Sequence, residues 1–183
     1  NIYVDKSCIN AYDYRLVGDK LKILQDSPIK LMKSVKTNDE ISHYIDSFKR
    51  TDMAVKAIRE YIENNDNISE YDIAVQLEKE FKRYGAKSLS FKSIVAKDKN
   101  SALAHYSKSS KDEIIKDGSL VLIDCGAYFE GGLATDITRV FVKGTPTELQ
   151  KKIYTTVLKA FLLGFNYAQV PENRFSEPQP VAL

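Results

Sequence analysis

The clearest periodic pattern in the chain is a run of apolar residues at helical spacing between residues 39 and 63. Thr37 and Glu40 precede it with the spacing of a capping box, in which two side chains satisfy the free backbone N–H groups of a helix start. A helix over residues 39–63 is therefore predicted, and the asparagine-rich stretch 64–67 breaks it. Its apolar positions are Ile41, Ile45, Phe48, Val55, Ile58 and Ile62.

A second helix is predicted directly after this break. Ser69 and Asp72 provide the cap at its beginning, and Gly85 ends it, because glycine readily adopts the left-handed conformation that closes a helix. The positions expected to face inward are Ile73, Leu77, Phe81 and Tyr84.

A third helix is predicted near the end of the chain. Thr145 is expected to cap it, Pro146 to occupy the first helical position and Glu148 to return a hydrogen bond to the cap. The apolar stripe of this helix comprises Leu149, Ile153, Val157 and Phe161.

Elsewhere the pattern predicts strands over residues 1–5 and 90–96, a helix over 11–24, a connector over 27–30, a turn over 97–100 and mostly loop over 101–119. Residues 169–183 contain several prolines and fit neither helix nor strand, so an irregular tail is predicted. This order of elements indicates an α+β protein with layered packing, not a doubly wound sheet.

Residues 120–142, LVLIDCGAYFEGGLATDITRVFV, combine two apolar runs with a glycine-rich turn and predict a β-hairpin. Asp124 ends the first run and Asp136 opens the second, so the hairpin would bring the two carboxylates face to face. Two carboxylates held together on apolar strands repel each other, and a divalent metal between them relieves that repulsion. Aspartates at strand ends are also common turn formers, although neither position lies in a turn dipeptide.

Composition narrows the range of partners. The 183 residues are 43% hydrophobic and 28% charged, with a formal net charge of +2, which is ordinary for a globular protein and too small to favour nucleic acid or a membrane surface. Cys8 and Cys125 lie far apart, outside any metal-ligand spacing, and favour a reduced, cytoplasmic setting. The chain opens without methionine inside a predicted strand, so we expect it to be part of a longer protein.

The chain has two histidines. His43 falls on the polar margin of the first predicted helix and is expected to be an ordinary surface residue. His105 lies in a loop of small residues about twenty positions before Asp124. A histidine close to a metal-bound substrate can donate a hydrogen bond or shuttle a proton, which makes His105 a candidate catalytic residue.

Four stretches together resemble the pita-bread metallopeptidases, and within them the aminopeptidase P and prolidase branch, which cleaves Xaa-Pro bonds. The resemblance covers about residues 29–167, and its motifs are SIVA at 93–96, NSALAHY at 100–106, LVLIDCGA at 120–127 and TDITR at 135–139. It implies an α+β fold, the first half of a pita-bread (creatinase/aminopeptidase-like) catalytic domain. The domains expected are then 1–28, the end of an N-terminal domain and linker; 29–168, the N-terminal half of the catalytic domain; and 169–183, the tail.

The resemblance also implies a dinuclear metal site with two divalent ions, Mn²⁺ being expected and Co²⁺ or Zn²⁺ being alternatives. Asp124 matches the first aspartate ligand, and Asp136 matches the second, which bridges both metals. His105 matches the family's histidine near the scissile bond, and Arg139 is expected to orient Asp136. Two metals about 3.5–4 Å apart would activate a water and polarise the peptide carbonyl.

Two departures from the family pattern limit what the resemblance implies. The family adds a histidine and two glutamates downstream, whereas no histidine follows His105 here, so the chain offers two of five ligands and is expected to be an incomplete, inactive fragment. The spacing from Asp124 to Asp136 is one residue longer than usual, which a bulge near Gly131 and Gly132 would absorb.

The function expected of the parent protein is that of a cytoplasmic Xaa-Pro aminopeptidase acting on peptides with proline at the second position, as a homodimer without nucleic-acid or membrane partners. The alternatives are a prolidase acting on dipeptides and a pita-bread binding scaffold without catalysis, although a scaffold has no need of Asp124, Asp136 and His105. A creatinase-like amidinohydrolase would share the fold but is not expected to use the aspartate pair as metal ligands.

Overall fold

The computed structural model describes residues 2–5, 7–24 and 27–169. Their strands are β1 Ile2–Asp5, β2 Leu21–Leu24, β3 Ser88–Leu89, β4 Ile94–Lys97, β5 Leu120–Cys125, β6 Ala127–Tyr128 and β7 Ile137–Val142. Their α-helices are α1 Ala11–Val17, α2 Pro28–Ser34, α3 Asn38–Asn64, α4 Glu70–Arg83 and α5 Glu148–Gln169, and two 3₁₀ turns span Gly18–Lys20 and Asp98–Ala102.

A three-stranded antiparallel sheet, ordered β4-β5-β7, forms the centre of the fold. The burial of side chains along β5 alternates between the two faces of the sheet, since successive side chains of a strand point to opposite sides. Val121, Ile123 and Cys125 are fully buried, whereas Leu122 and Asp124 on the other face are only partly buried. The sheet therefore has one core face and one open face.

Helices α3 and α4 supply the other half of the hydrophobic core. Their buried apolar residues form one cluster with the inward side chains of β4, β5 and β7, and those of the helices are Ala54, Val55, Ile58, Ile62, Ile73, Leu77 and Phe81. The helix-to-sheet layering matches the predicted α+β class.

The first two predicted helices are confirmed. Thr37 and Glu40 form the capping box at the start of α3, and Ser69 and Asp72 form the one at the start of α4. Within α3, the apolar stripe is buried only from Phe48 onward, because Ile41 and Ile45 lie before the part of the helix that crosses the sheet and stay exposed.

The predicted start of the third helix is wrong by two residues. Thr147, not Thr145, caps α5: its Oγ1 accepts from the Gln150 N–H at 3.2 Å, and Gln150 Oε1 accepts from the Thr147 N–H at 2.8 Å. The reciprocal partner is therefore Gln150, and the helix begins at Glu148.

The prediction for residues 11–24 is correct only in its first half. The helix ends at Val17, and β2 then pairs in parallel with β1, because alternating Leu21 and Ile23 can join a strand as readily as a helix. The expected connector 27–30 is instead the start of α2, where Ser27 is the cap and Pro28 the first residue. The proposed domain boundary thus falls at this helix start, and the domain division stays a prediction.

The strand predicted over 90–96 is shorter, since only its second half joins the sheet as β4. The expected turn over 97–100 is the 3₁₀ turn Asp98–Ala102. The irregular tail predicted for residues 169–183 lies almost wholly outside the described residues. None of the helices in the described ranges has both the length and the apolar character of a membrane span.

Candidate active site

The predicted hairpin is present, and its register fixes where the two aspartates lie. Asp124 on β5 is directly opposite Thr138 on β7, and Cys125 is opposite Ile137. Asp136 lies two residues from Thr138, so its side chain belongs to the same face of the sheet as Thr138 and Asp124. Diagonal neighbours of this kind stand roughly 7–8 Å apart at Cα. The register therefore places both aspartates at the same end of the open face.

Buried hydroxyl contacts hold the turn between the strands in place. Thr135 donates its backbone N–H to Ala127 at 3.0 Å, which extends the ladder beyond Cys125, and its Oγ1 lies 2.8 Å from that of Thr51 on α3. Gly126 is required here, since a Cβ on it would come within 1.8 Å of the Thr135 carbonyl oxygen. The strand end that carries Asp136 is thus anchored to the helix layer.

The electrostatics of the pair are those of two carboxylates without a cation. Thr138 Oγ1 donates to Asp124 Oδ1 at 3.0 Å, and Asp124 is partly buried while Asp136 is exposed. Among the described residues no lysine, arginine or histidine forms an ion pair with either aspartate. The neighbouring Cys125 lies in the hydrophobic core, and its burial, aided by the negative charge of Asp124, raises the pKa of its thiol to about 12.

The carboxylates form an open ligand set. Within residues 2–5, 7–24 and 27–169, no cluster of three or more histidine, cysteine, aspartate or glutamate side chains could hold a metal ion. Asp124 and Asp136 are hard oxygen donors of the kind that Mn²⁺ and similar ions prefer. They fit such an ion, which would take further ligands besides these two side chains.

His105 is presented on a loop beside the sheet. It is exposed and has a left-handed backbone, with φ of 56°, which is uncommon for a residue other than glycine. After it, the chain runs back along β4: Lys92 Nζ donates to the Ser107 carbonyl at 2.9 Å, and Ser109 Oγ donates to the Val95 carbonyl at 3.3 Å. Ile94, the first residue of β4, pairs with Asp124, and among the described residues no hydrogen bond or ion pair joins His105 to either aspartate.

Arg139 lies on the face of β7 opposite to that of Asp136, because it is one residue from Thr138. Its guanidinium contacts Asp52 on α3 at 3.5 Å and the Thr138 carbonyl at 2.9 Å. These contacts tie β7 to the helix layer. Orientation of Asp136 by Arg139 stays a prediction, and no described contact supports it.

Two residues of the site were missed by reasoning from sequence. Thr138 holds Asp124, and alternation within TDITR could have placed it beside that carboxylate. Glu70 is a fully buried carboxylate bonded to the loop that carries His105. In the sequence Glu70 is only an acidic residue in the first turn of a predicted helix. Acidic residues are common there because they interact favourably with the helix dipole, so the sequence does not mark Glu70 as a site residue.

Comparison with known proteins gives a consistent result. Residues 42–182 match the profile of metallopeptidase family M24. The Xaa-Pro dipeptidase of Pyrococcus furiosus is 37% identical over 135 residues, covering 74% of this chain and 37% of that protein. The Xaa-Pro aminopeptidase of Escherichia coli K12 is 39% identical over 92 residues, covering 50% of this chain and 20% of that protein.

The structure resembles that of the X-Pro aminopeptidase from Thermotoga maritima with a TM-score of 0.76 at 26% identity, covering 91% of this chain and 47% of that one. The chain thus spans less than half the length of each of these relatives, and its fold corresponds to about half of a pita-bread structure. The predicted resemblance and fold class are confirmed. Because the family profile matches well over half of the chain, the protein belongs to metallopeptidase family M24.

Proposed function

We propose that the protein is a metal-dependent peptidase that hydrolyses the bond before proline at the N-terminus of peptides, as an Xaa-Pro aminopeptidase. The observation that carries this proposal is the pair of carboxylates, Asp124 and Asp136, on the open face of the hairpin without a cationic partner among the described residues. The names of two relatives, an Xaa-Pro dipeptidase and an Xaa-Pro aminopeptidase, support the substrate class.

Asp124 and Asp136 would hold the divalent metal, with Mn²⁺ as the first candidate. When bound, such ions supply electrophilic assistance and an activated water for peptide hydrolysis.

The protein's own side chains have separate roles in this proposal. Thr138 fixes the Asp124 carboxylate by donating a hydrogen bond to its Oδ1. The other carboxylate oxygen is then free to face the open side of the sheet. His105 contacts the substrate beside the scissile bond and donates or accepts a proton there, because a neutral imidazole carries both a donor and an acceptor nitrogen. The exposure of His105 leaves it accessible to a peptide.

A series of peptides tests the proposal in the intact protein, meaning the longer protein of which this chain is proposed to form a part. A tripeptide with proline second should be cleaved with Mn²⁺ present, whereas the matched peptide with alanine second should be cleaved far more slowly, and chelation should abolish both reactions. Loss of all hydrolysis with metal supplied would favour the alternative of a binding scaffold.

The prolidase alternative is favoured by the relative from Pyrococcus furiosus, whose similarity extends over 74% of this chain. A dipeptide ending in proline separates the two activities. Preference for that dipeptide over the longer peptides would replace the aminopeptidase assignment with a dipeptidase one.

A further inference from the structure

Glu70, the first residue of α4, is a buried carboxylate in a position where a charge would ordinarily be solvated. Its side chain is 0% exposed. Burial of a carboxylate is costly unless hydrogen bonds replace the water that it loses. The partners of Glu70 therefore indicate what it is for.

Both carboxylate oxygens of Glu70 accept two hydrogen bonds. Oε1 accepts from the Lys97 N–H at 2.7 Å and from the Asn100 side-chain amide at 2.9 Å. Oε2 accepts from the Tyr106 hydroxyl at 2.8 Å and from the Ser110 N–H at 2.9 Å. All four donors belong to one segment, residues 97–110, and none belongs to α4 itself.

The donors bracket His105 on both sides. Asn100 comes five residues before it and Tyr106 directly follows it, and the Asn100 amide also lies 3.2 Å from the Tyr106 hydroxyl. The carboxylate thus closes a short loop that contains His105. A left-handed backbone at a residue other than glycine persists where the surrounding structure over-determines it, and the φ of 56° at His105 fits that description.

Tyr106 is the donor closest to His105 in sequence. Its hydroxyl lies 2.8 Å from both Glu70 Oε2 and the Lys108 carbonyl, and the charged acceptor gives the stronger bond for its single proton. Burial, together with the bond to Glu70, raises the pKa of Tyr106 to about 12, so it remains a donor throughout the neutral range.

We propose that Glu70 is the positioning residue of the His105 loop, holding residues 97–110 against the start of α4 so that His105 is presented to the peptide. The inference rests on the proposed function for the role of His105, whereas the anchoring of the loop stands on the contacts alone. Removing the carboxylate should release the loop locally, without unfolding the core that α3 and α4 form with the sheet.

Hydrogen exchange of the intact protein, read by mass spectrometry, tests the anchoring. In Glu70→Gln one acceptor becomes an amide donor facing an N–H donor, so exchange over residues 97–110 should rise roughly 10-fold or more while exchange over residues 50–62 stays unchanged. Glu80→Gln is the matched control, because Glu80 is also buried on α4 but bonds to Gln76 and Arg83 on its own helix.

Tyr106→Phe is the second variant in case Glu70→Gln does not fold, since it removes one donor and keeps the ring. It should raise exchange of the loop in the same direction and lower the rate of Xaa-Pro hydrolysis through kcat more than through KM. Unchanged exchange of the loop in the folded variants, or an equal rise in the core, would overturn the proposal. Loosening of the loop in a protein without peptidase activity would support the anchoring and overturn the proposed function.

Discussion

At the scale of single residues, the site separates groups that would hold metal from a group that would touch substrate. Asp136 and Asp124 are carboxylates on one face of the hairpin, and His105 comes from a separate loop. Their different origins allow their roles to be tested independently.

In the intact protein, Asp136→Ala should lose metal and activity together, because the ion would lose one of the two carboxylates proposed to hold it. His105→Ala should keep its metal while the rate falls by roughly 10²–10⁴, the usual contribution of a positioned acid or base. Metal stoichiometry measured beside the rate distinguishes the two variants.

His43→Ala serves as the matched control, since His43 is the other histidine and is exposed on α3. It should change neither metal content nor rate. Loss of metal in His105→Ala to the extent seen in Asp136→Ala would mean that His105 is a ligand and that the assigned role is wrong.

Gly126 gives a prediction about stability. In Gly126→Ala the new methyl would meet the Thr135 carbonyl oxygen at 1.8 Å, a backbone contact that cannot rotate away. We expect destabilisation of at least about 1–3 kcal/mol, as for an overpacked core, measured by urea denaturation.

Gly164→Ala is the contrasting substitution, because Gly164 lies on α5 with nothing within 4 Å of an added Cβ. Alanine should there raise stability by roughly 0.5–1 kcal/mol relative to glycine. If Gly126→Ala lowered stability no more than this control, the close approach between residue 126 and the Thr135 carbonyl oxygen would be contradicted.

The aspartate pair could be predicted from the sequence because it depends on a local rule, the alternation of side chains along a hairpin. Glu70 could not, since the groups that make it a positioning residue lie 27 to 40 positions away along the chain. Arg139 was assigned to Asp136 from the family resemblance. Alternation places its side chain on the other face, where it contacts Asp52, and orientation of Asp136 by Arg139 stays a prediction.

At the scale of elements, caps were the most informative signals. Both capping boxes predicted at Thr37 and Ser69 are present, because they involve side chains only three residues apart. At α5 two threonines were available, and the choice of Thr147 over Thr145 depended on the glutamine at 150. The predicted helix over 11–24 failed in its second half because pairing with β1 is a contact between distant residues.

The cap of α4 should matter more than its own hydrogen bonds suggest, because it orients the turn that carries Glu70. Ser69→Ala removes the bonds that its hydroxyl makes with Asp72 and should cost about 1 kcal/mol of stability at neutral pH. Urea denaturation measures the loss, and Thr37→Ala in the exposed capping box of α3 is the matched control. Hydrogen exchange over residues 97–110 should rise in Ser69→Ala only.

The cost of Ser69→Ala should also depend on pH. The hydrogen bonds from Ser69 lower the pKa of Asp72 below its ordinary value of 3.8. Their contribution to stability is therefore complete above that value and disappears as the pH falls through the lowered pKa. A difference between wild type and variant that stayed constant into strong acid would contradict this assignment.

At the scale of the whole molecule, the described residues provide an incomplete set of metal ligands and an exposed apolar helix. The described residues provide two carboxylates, whereas a divalent ion in a protein takes four or more ligands. We expect the 183-residue chain by itself to bind Mn²⁺ weakly and to show no Xaa-Pro hydrolysis, since ligand number sets affinity. Titration calorimetry and a peptide assay measure both properties, and turnover by this chain would refute the expectation.

Helix α5 has an exposed apolar surface. Its apolar side chains lie on the outside, with exposed fractions of 66% at Leu149, 63% at Val157 and 63% at Phe161. An apolar helix face of this extent normally lies against other protein, because exposed apolar patches drive association. Lys159 lies on another side of the same helix, next to the exposed Leu162 and Leu163 at i+3 and i+4, so apolar side chains are exposed on more than one side of α5.

We therefore expect the 183-residue chain to self-associate through α5. Sedimentation velocity should show oligomers at micromolar concentration, with binding of a dye that reports apolar surface. The double variant Val157→Glu with Phe161→Glu should shift the chain toward monomer, because two carboxylates would have to be desolvated in the contact. Lys159→Glu, which alters charge on the same helix away from Val157 and Phe161, should leave the oligomers in place. A monodisperse wild-type monomer that binds no dye would show that α5 is stable in water without a partner. An equal effect of Lys159→Glu would show that net charge, not the apolar stripe, controls the association.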